Sequence, residues 1–386
     1  MRDLQGLVGE MAVGGISRRQ FLERGLAMGL SLGAVGSVLA ACGAKKEGAT
    51  GTPTSPSPMD TTKPAELYLF NWQNEIAPDN KKKFEQRTGI KVVESFYDDN
   101  EQLLSKLRGG ATGYDLIVPT SYMVSIMIKS GLLEPIDLAY VPNIKNLSPT
   151  FQTLSYDDPA RQDGKRYAVP YLWGNAGIAV RNDLVSGVVP SWDQLWDPAY
   201  KGKIDMLDDE RETIGAALKL LGFSFNSTDT EQIDQAKQKL IEQKPLVRAY
   251  DSVNMKRNIV AGTPLVHSWN GDAYLAQDAL GEEKVSYLLP EQGFSVWVDN
   301  LCIPNGFKSK YGAHLFMDFM CEPENAADLV NYVQYLSPNA AAESLIDPKI
   351  VARTPDDQTM QRAELLSDVG EASRAWTQAW QAVKGA

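Results

Sequence analysis

Histidine is almost absent from this chain: His267 and His314 are the only two in 386 residues, and they stand in unrelated contexts. That leaves no material for a histidine-rich metal centre or a Ser-His-Asp triad. No GxSxG, HExxH, CxxC or phosphate-loop pattern occurs either, so covalent, zinc and nucleotide chemistry have no sequence support. Cysteine is nearly as scarce. Cys42 stands near the N-terminus, while Cys302 and Cys321 are too isolated to read as a disulfide framework. Cys302 sits in the apolar run DNLCIP, where a buried free thiol is expected. The stretch 25–41, GLAMGLSLGAVGSVLAA, is too short and too weakly apolar for a comfortable membrane span. Positive charge is in deficit: 38 Lys and Arg against 49 Asp and Glu give a net charge of −11. A phosphate backbone is therefore an unsuitable partner, so no nucleic acid is expected, whereas a small cation suits that sign. No metal, no cofactor and no enzymatic turnover are expected.

What is present is ordinary globular composition, 43% hydrophobic and 23% charged, in a chain too long for one core. Two α/β lobes are expected. The first 41 residues stand apart from them. SRRQFL (17–22) carries Arg18 and Arg19, the apolar stretch follows, and LAAC ends at Cys42. The first resembles a twin-arginine export signal and the last the lipobox of bacterial lipoproteins. The resemblance implies cleavage before Cys42, a lipid on its thiol, and a location outside the cell membrane or in the periplasmic space. A chance Arg-Arg followed by a buried anchor helix is the competing reading. Residues 43–63 are small, polar and proline-rich, and with Cys42 they read as a lipidated, flexible tether.

The body alternates strand and helix. ELYLFNW (66–72), IKVVESFY (90–97) and YDLIVPT (114–120) read as strands; PDNKKKFEQRTG (78–89), stopped by Gly89, and NEQLLSKLRGG (100–110) read as helices. Alternation of this kind predicts a parallel sheet with ligand beyond the C-terminal strand ends, where Trp72, Thr120 and Tyr122 fall. Further on, GKIDMLDD (202–209) runs into the helix ERETIGAALKLLG. STDTEQIDQAKQKLIEQ (227–243) reads as a helix with a Thr228/Glu231 capping box. LVRAYD, TPLVHSW and FSVWVDNLCIP (294–304) read as strands, and the C-terminal EASRAWTQAWQAVKGA as a helix.

The segments YLFNW, YDLIVPTSYMV, VPYLWG, SWDQLWDPAYKGKI, LDDERE, WNGDAY, VWVDNLCIP and YLSPNAAA occur together, in order. In order and spacing they resemble the spermidine/putrescine-binding proteins of bacterial ABC importers, over about residues 66–384. The resemblance implies an α/β, type II periplasmic-binding-protein fold, two lobes each with a central β-sheet flanked by helices and the ligand in the interlobe cleft. It places lobe one at 64–176 plus 298–343 and lobe two at 177–297 plus 344–386. It also implies a polyamine ligand, a monomer, and delivery to permease subunits in the membrane.

A polyamine site needs separated acids for the ammonium groups and flat aromatic walls for the methylenes. By resemblance, Asp209 and Glu212 hold one terminal ammonium and Asp299 a second or internal one. Trp72, Thr120, Tyr122, Trp269, Trp297 and Tyr335 line the slot. Two departures stand out. Asn74 then Glu75 follow NWQ, where the family has an acid then tyrosine, and LLSDVG offers Leu366 and Ser367 where the family has glutamine. Both departures are expected at the far end of the polyamine, with Glu75 supplying the displaced negative charge. Simpler readings stand beside each choice. Asp209 and Glu212, at i and i+3, also fit a capping box. In the ligand reading Asp208 and Glu210 become the cap or solvent-facing acids. Each tryptophan also fits a core, and Trp192 and Trp196 read as packing residues. Another cationic or small organic solute, or a surface interaction protein without a small ligand, remains open.

Overall fold

The computed structural model describes residues 59–386. The export signal, Cys42 and most of the tether lie outside the described residues. The described chain forms one compact α/β unit. Its first strands are β1 (Glu66–Asn71), β2 (Lys91–Phe96) and the short β3 (Leu116–Ile117). They are joined by helices α1 (Pro78–Thr88) and α2 (Asn100–Arg108), and β1 pairs in parallel with both β2 and β3. Gly89 ends α1 at φ 78°, a left-handed stop that costs a glycine no Cβ clash.

Two long strands organise the rest. β5 (Ala168–Arg181) follows a short β4 (Leu133–Glu134), and β10 (Phe294–Pro304) comes late in the chain. The first half of β5 pairs antiparallel with β10, from Ala168↔Cys302 to Asn175↔Val296. From Ala176 onward β5 changes partners, to β8 (Leu265–Trp269) and β9 (Val285–Leu288). β8 continues in parallel to β6 (Ile204–Met206), and β6 to β7 (Val247–Tyr250). The start of β10 also takes β11 (Ala363–Leu365). The strand order β2-β1-β3-β10-β5-β8-β6-β7 therefore has two α/β halves, with β5 running through both.

Helices cover the faces. α3 (Ser121–Lys129) follows β3, α4 (Glu210–Leu220) follows β6, and α5 (Thr230–Gln243) packs on α4. α6 (Met255–Ala261) and α7 (Asn270–Leu280) flank β8, while α8 (Lys310–Met320) and α9 (Pro323–Val333) cover the first half. Phe84 of α1 meets Phe316 and Phe319 of α8 edge-on, with ring centroids 5.1 and 5.3 Å away. The C-terminal α10 (Ser373–Gly385) buries Trp376 and Val383 against α4 and α5. Trp192 and Trp196 pack as expected, their indole N–H groups donating to the carbonyls of Gly293 and Lys239. Cys302 and Cys321 are both buried free thiols.

The helix starts differ from expectation. Asp229, not Thr228, caps α5, accepting from the Glu231 amide. At α4 the cap is Asp209, which accepts from the amides of Arg211 and Glu212, each at 2.9 Å. Asp208 instead pairs with Lys384, and Glu210 is buried against Thr377. In both helices an aspartate is the residue immediately before the first turn, and its short side chain reaches the free amides without strain.

The first half is pinned by Asp115, which is fully buried at the entry to β3. Its carboxylate accepts from the amides of Tyr68, Lys308 and Ser309, at 2.9, 2.8 and 2.5 Å. Asp115→Asn turns one acceptor oxygen into a donor facing an amide. It is expected to destabilise the protein by about 2 kcal/mol, read as a lower urea midpoint at constant slope. An unchanged midpoint would show that the three-donor contact contributes nothing.

Candidate functional site

A cavity of about 470 Å³ opens where the two halves meet, within the ordinary range for a small-molecule site. Trp72, Glu75, Thr120, Tyr122, Asp209, Glu212, Trp269, Trp297, Asp299 and Tyr335 all line it. The chain brings them together through strand ends and helix starts. Trp72 leaves the end of β1, with its indole N–H on the Val118 carbonyl and its ring 4.6 Å from that of Tyr97. Asn74 takes a left-handed φ of 64°, a conformation asparagine tolerates, and this turn delivers Glu75 to the cavity wall. A bulge between Asp299 and Asn300 interrupts the β10–β5 ladder beside the site.

The aromatic wall is a chain of edge contacts. Trp269 meets Trp297 at 5.9 Å and Trp297 meets Tyr335 at 4.8 Å, with the rings near perpendicular. Two glycines make room for it. A Cβ on Gly174 would lie 2.4 Å from the Trp297 ring, and one on Gly271 would lie 2.6 Å from the Tyr335 ring.

The acids are held sparingly. Asp299 accepts from the Thr120 hydroxyl at 2.7 Å, and Glu75 from the Tyr171 hydroxyl at 2.9 Å. Glu212 accepts from the Ser295 hydroxyl at 2.6 Å through one oxygen; its other oxygen is buried without a partner. Sequence reasoning missed Asp272 in WNGDAY. It also lines the cavity, from the first turn of α7, with one oxygen on the Lys256 amide at 3.1 Å. The signal was available, since Asp272 lies in the first turn of the helix that follows Trp269 and so stands at the same strand end.

Among the described residues, none of Glu75, Asp209, Glu212, Asp272 and Asp299 has a basic nitrogen within 4.0 Å. Arg211, beside the acid pair in sequence, spends its guanidinium elsewhere. It stacks on Tyr122 and Trp376 and bonds the Ser367 carbonyl and Asn226. Lys256 and Arg257 line the cavity but are exposed.

Burial without a counter-ion raises every one of these acids. Glu212 rises to about 8, chiefly by burial and then by the charge of Asp209. Asp299 rises to about 7 and Asp272 to about 6, both chiefly by burial. Glu75 rises well above the usual range through burial and the nearby charge of Asp299. Beyond the cavity wall, Glu101 of α2 rises to about 8, mainly by burial and then by the charge of Glu210, and Glu210 rises to about 7, mainly by burial and then by the charge of Asp209.

One expectation needs correction. Leu366 and Glu75 do not share an end of the cavity. The Leu366 amide donates to Val296, next to the Ser295 that holds Glu212, so Leu366 belongs beside the acid pair. Glu75 belongs with Tyr171 and Asp299. Strand β11 carries Leu366 to the start of β10, a long-range pairing that local sequence does not reveal.

The family described as bacterial extracellular solute-binding protein matches residues 81–359. The chain belongs to that family. It is 35% identical to the spermidine/putrescine-binding periplasmic protein of Salmonella typhimurium, over 82% of this chain and 91% of the relative. A solved structure of a putative spermidine/putrescine ABC transporter from Listeria monocytogenes superimposes with a TM-score of 0.79 at 33% identity, covering 83% of this chain and 99% of that one. A lipoprotein of Treponema pallidum superimposes with a TM-score of 0.73 at 31% identity, covering 82% and 99%. The fold is thus the type II periplasmic-binding-protein fold, and this family of ABC-transporter proteins binds solutes without catalysis.

These raised acids fix the sign of a pH effect on the ligand-free protein. Between the ordinary carboxylate range near 4 and about 8, the folded chain keeps protons that the unfolded chain has lost. Unfolding then releases protons. The contribution is complete below the unfolded values and is lost as pH rises through the folded ones. Stability from urea melts at constant ionic strength should fall from pH 5 to pH 8, and Glu212→Gln should flatten the slope. A stability that rises across that window, with the slope unaltered in the variant, would contradict the site's electrostatics.

Proposed function

We propose that this protein captures a polyamine of the putrescine–spermidine class in the cleft and hands it to an ABC permease. The observation that carries the reading is the set of five cavity-lining carboxylates without a cation partner, three of them (Glu75, Glu212 and Asp299) buried, walled by indole and phenol rings. Buried ammonium groups need such carboxylates, and the methylenes between them need such rings. In this reading Asp209 and Glu212 hold one terminal ammonium. Asp299, with Glu75 beside it, holds the next, and Trp72, Thr120, Tyr122, Trp269, Trp297 and Tyr335 form the slot. The lobes divide at 64–176 plus 298–343 and 177–297 plus 344–386, a division supported by the change of partner along β5 at Asn175/Ala176. The protein acts as a monomer, held outside the cell membrane by a lipid on Cys42.

Lys256 and Arg257 on the cavity wall favour one second reading, a solute bearing both an amine and a carboxylate. Calorimetry with putrescine, spermidine and an ω-amino acid separates the two. Polyamine binding is expected at micromolar affinity or tighter, about −8 kcal/mol, and it should strengthen from pH 6 to pH 8 as the acids ionise. Asp299→Asn should weaken it more than tenfold while leaving the ligand-free melting temperature within a few degrees. No heat with any amine, or binding of the amino acid alone, would overturn the polyamine reading.

Membrane attachment is tested separately. Cys42→Ala should move the protein from the membrane fraction to the soluble fraction, and retention in the membrane would rule out the lipid anchor.

A further inference from the structure

The aromatic wall ends at Tyr335, and the chain is pinned on either side of that residue. On one side Leu336 exchanges two backbone hydrogen bonds with Trp173 of β5, at 3.0 and 2.9 Å. On the other stands Gln334, the residue that ends α9. Its φ of 59° is left-handed, a conformation that glycine adopts freely and a residue with a Cβ resists. Gln334 is buried, and both ends of its side-chain amide are bonded. The amide nitrogen donates to Asp278 in the last turn of α7, and the amide oxygen accepts from the Arg353 guanidinium. The other Asp278 oxygen accepts from Lys349 at 2.7 Å and from Arg353 at 3.3 Å. Arg353 in turn lies 4.4 Å over the ring of Tyr274, also on α7. Asp278, Lys349 and Arg353 all stand outside the cavity wall.

We infer that Gln334 is a positioning residue for the cleft: its side-chain amide ties the end of α9 to α7 and so holds the Tyr335 ring at its edge contact with Trp297. The inference rests on the polyamine reading only for the ligand that probes it, because the place of the ring is a property of the ligand-free protein. The ring stands 4.8 Å from that of Trp297. The backbone of α7 leaves this segment no slack, since a Cβ on Gly271 would lie 2.7 Å from the Val333 carbonyl as well as against the Tyr335 ring. A change of backbone angle at residue 334 therefore moves the ring bodily. The left-handed angle does not hold itself at a glutamine. The bonds to Asp278 and Arg353 hold it, and the ion pairs among Asp278, Lys349 and Arg353 fix those partners in turn.

The tie can be broken and remade. Gln334→Glu replaces the donor facing Asp278 with a carboxylate oxygen, which repels it. Adding Asp278→Asn puts an amide donor back into the same gap, while its amide oxygen still accepts from Lys349 and the new carboxylate still accepts from Arg353. The experiment uses the full-length protein at pH 8 with putrescine and spermidine. The forms are wild type, Gln334→Glu, the exchanged pair, Gln334→Gly, and Gln334→Glu on a Tyr335→Leu background. Each receives calorimetry, a melting curve and a near-ultraviolet circular dichroism spectrum without ligand. Gln334→Glu should weaken amine binding about fivefold or more and reduce the aromatic dichroism, and the exchanged pair should restore both. Gln334→Gly, which relaxes the backbone, should show the same losses and decides the matter if Gln334→Glu does not fold. On the Tyr335→Leu background Gln334→Glu should cost less than about twofold, because the ring it positions is gone. Unchanged affinity and spectrum in both single variants overturn the inference while the polyamine reading stands. So does an exchanged pair that folds without restoring them, or an undiminished loss on the leucine background. A wild type that binds neither amine overturns the polyamine reading alone, and the spectra then decide the inference.

Discussion

A carboxyl group taken out of water has to be compensated by a proton, by a cation or by a set of hydrogen-bond donors. Most of this protein uses the last two. Asp115 and Asp157 are fully buried and collect backbone amides, and Asp205 is fully buried against Arg248. The cleft breaks the pattern. Glu75, Glu212 and Asp299 each have a single hydroxyl, and Asp272 a single amide. Lys256 and Arg257 on the cavity wall are exposed, and neither brings its charge within 4.0 Å of these acids. In the polyamine reading, what compensates them is a cationic guest, while the raised pKa values favour a proton in its absence.

Much of this was legible in the sequence, and the legible parts share a cause. Strand and helix alternation, the Gly89 stop and the β10 run depend on local pattern, and the structure places them within a few residues of expectation. Nine acids and aromatics of the cavity wall were legible through the family resemblance, and Trp72, Tyr122, Asp209 and Trp269 also stand at strand ends or helix starts, where chain order and spatial order coincide. The rest depends on contacts far apart in sequence. Nothing near Leu366 announces that β11 pairs with β10, and nothing near Gly174 announces that Trp297 will lie against it. Asp272 was hidden by a different effect, since one acid in the first turn of a helix is ordinary dipole chemistry. The distinction between cap and ligand at Asp209 was also too sharp. Its carboxylate caps α4 and lines the cavity at once.

In the polyamine reading, closure of the lobes draws on the same electrostatics. The charges belong to different elements: Glu75 follows β1, Asp299 lies on β10, and the acid pair opens α4. Bringing these elements together concentrates like charge, as the effect of Glu210 of α4 on Glu101 of α2 shows. An empty cleft therefore resists closing more as pH rises. A ligand shifts such an equilibrium only through interactions that differ between the two arrangements. A multiply charged cation has that property, because it meets all of the acids only when the elements are close. A neutral solute of the same size would fill the slot and leave the repulsion in place.

The choice of hydroxyls as partners for three of these acids fits that cycle. Thr120, Tyr171 and Ser295 can each rotate their O–H to donate to an ionised carboxylate, or accept from a protonated one. A backbone amide can only donate, and a buried lysine would demand the ionised form permanently. A hydroxyl serves both the protonated acid of the empty cleft and the ionised acid of the filled one without any movement of the backbone. The Thr120 oxygen is itself held by the Asn100 side chain, so its position is fixed while its proton remains free to turn. In the polyamine reading, each acid can then exchange a proton for a cation without changing its hydroxyl partner, whatever the separation of the lobes, which keeps the local cost of binding low.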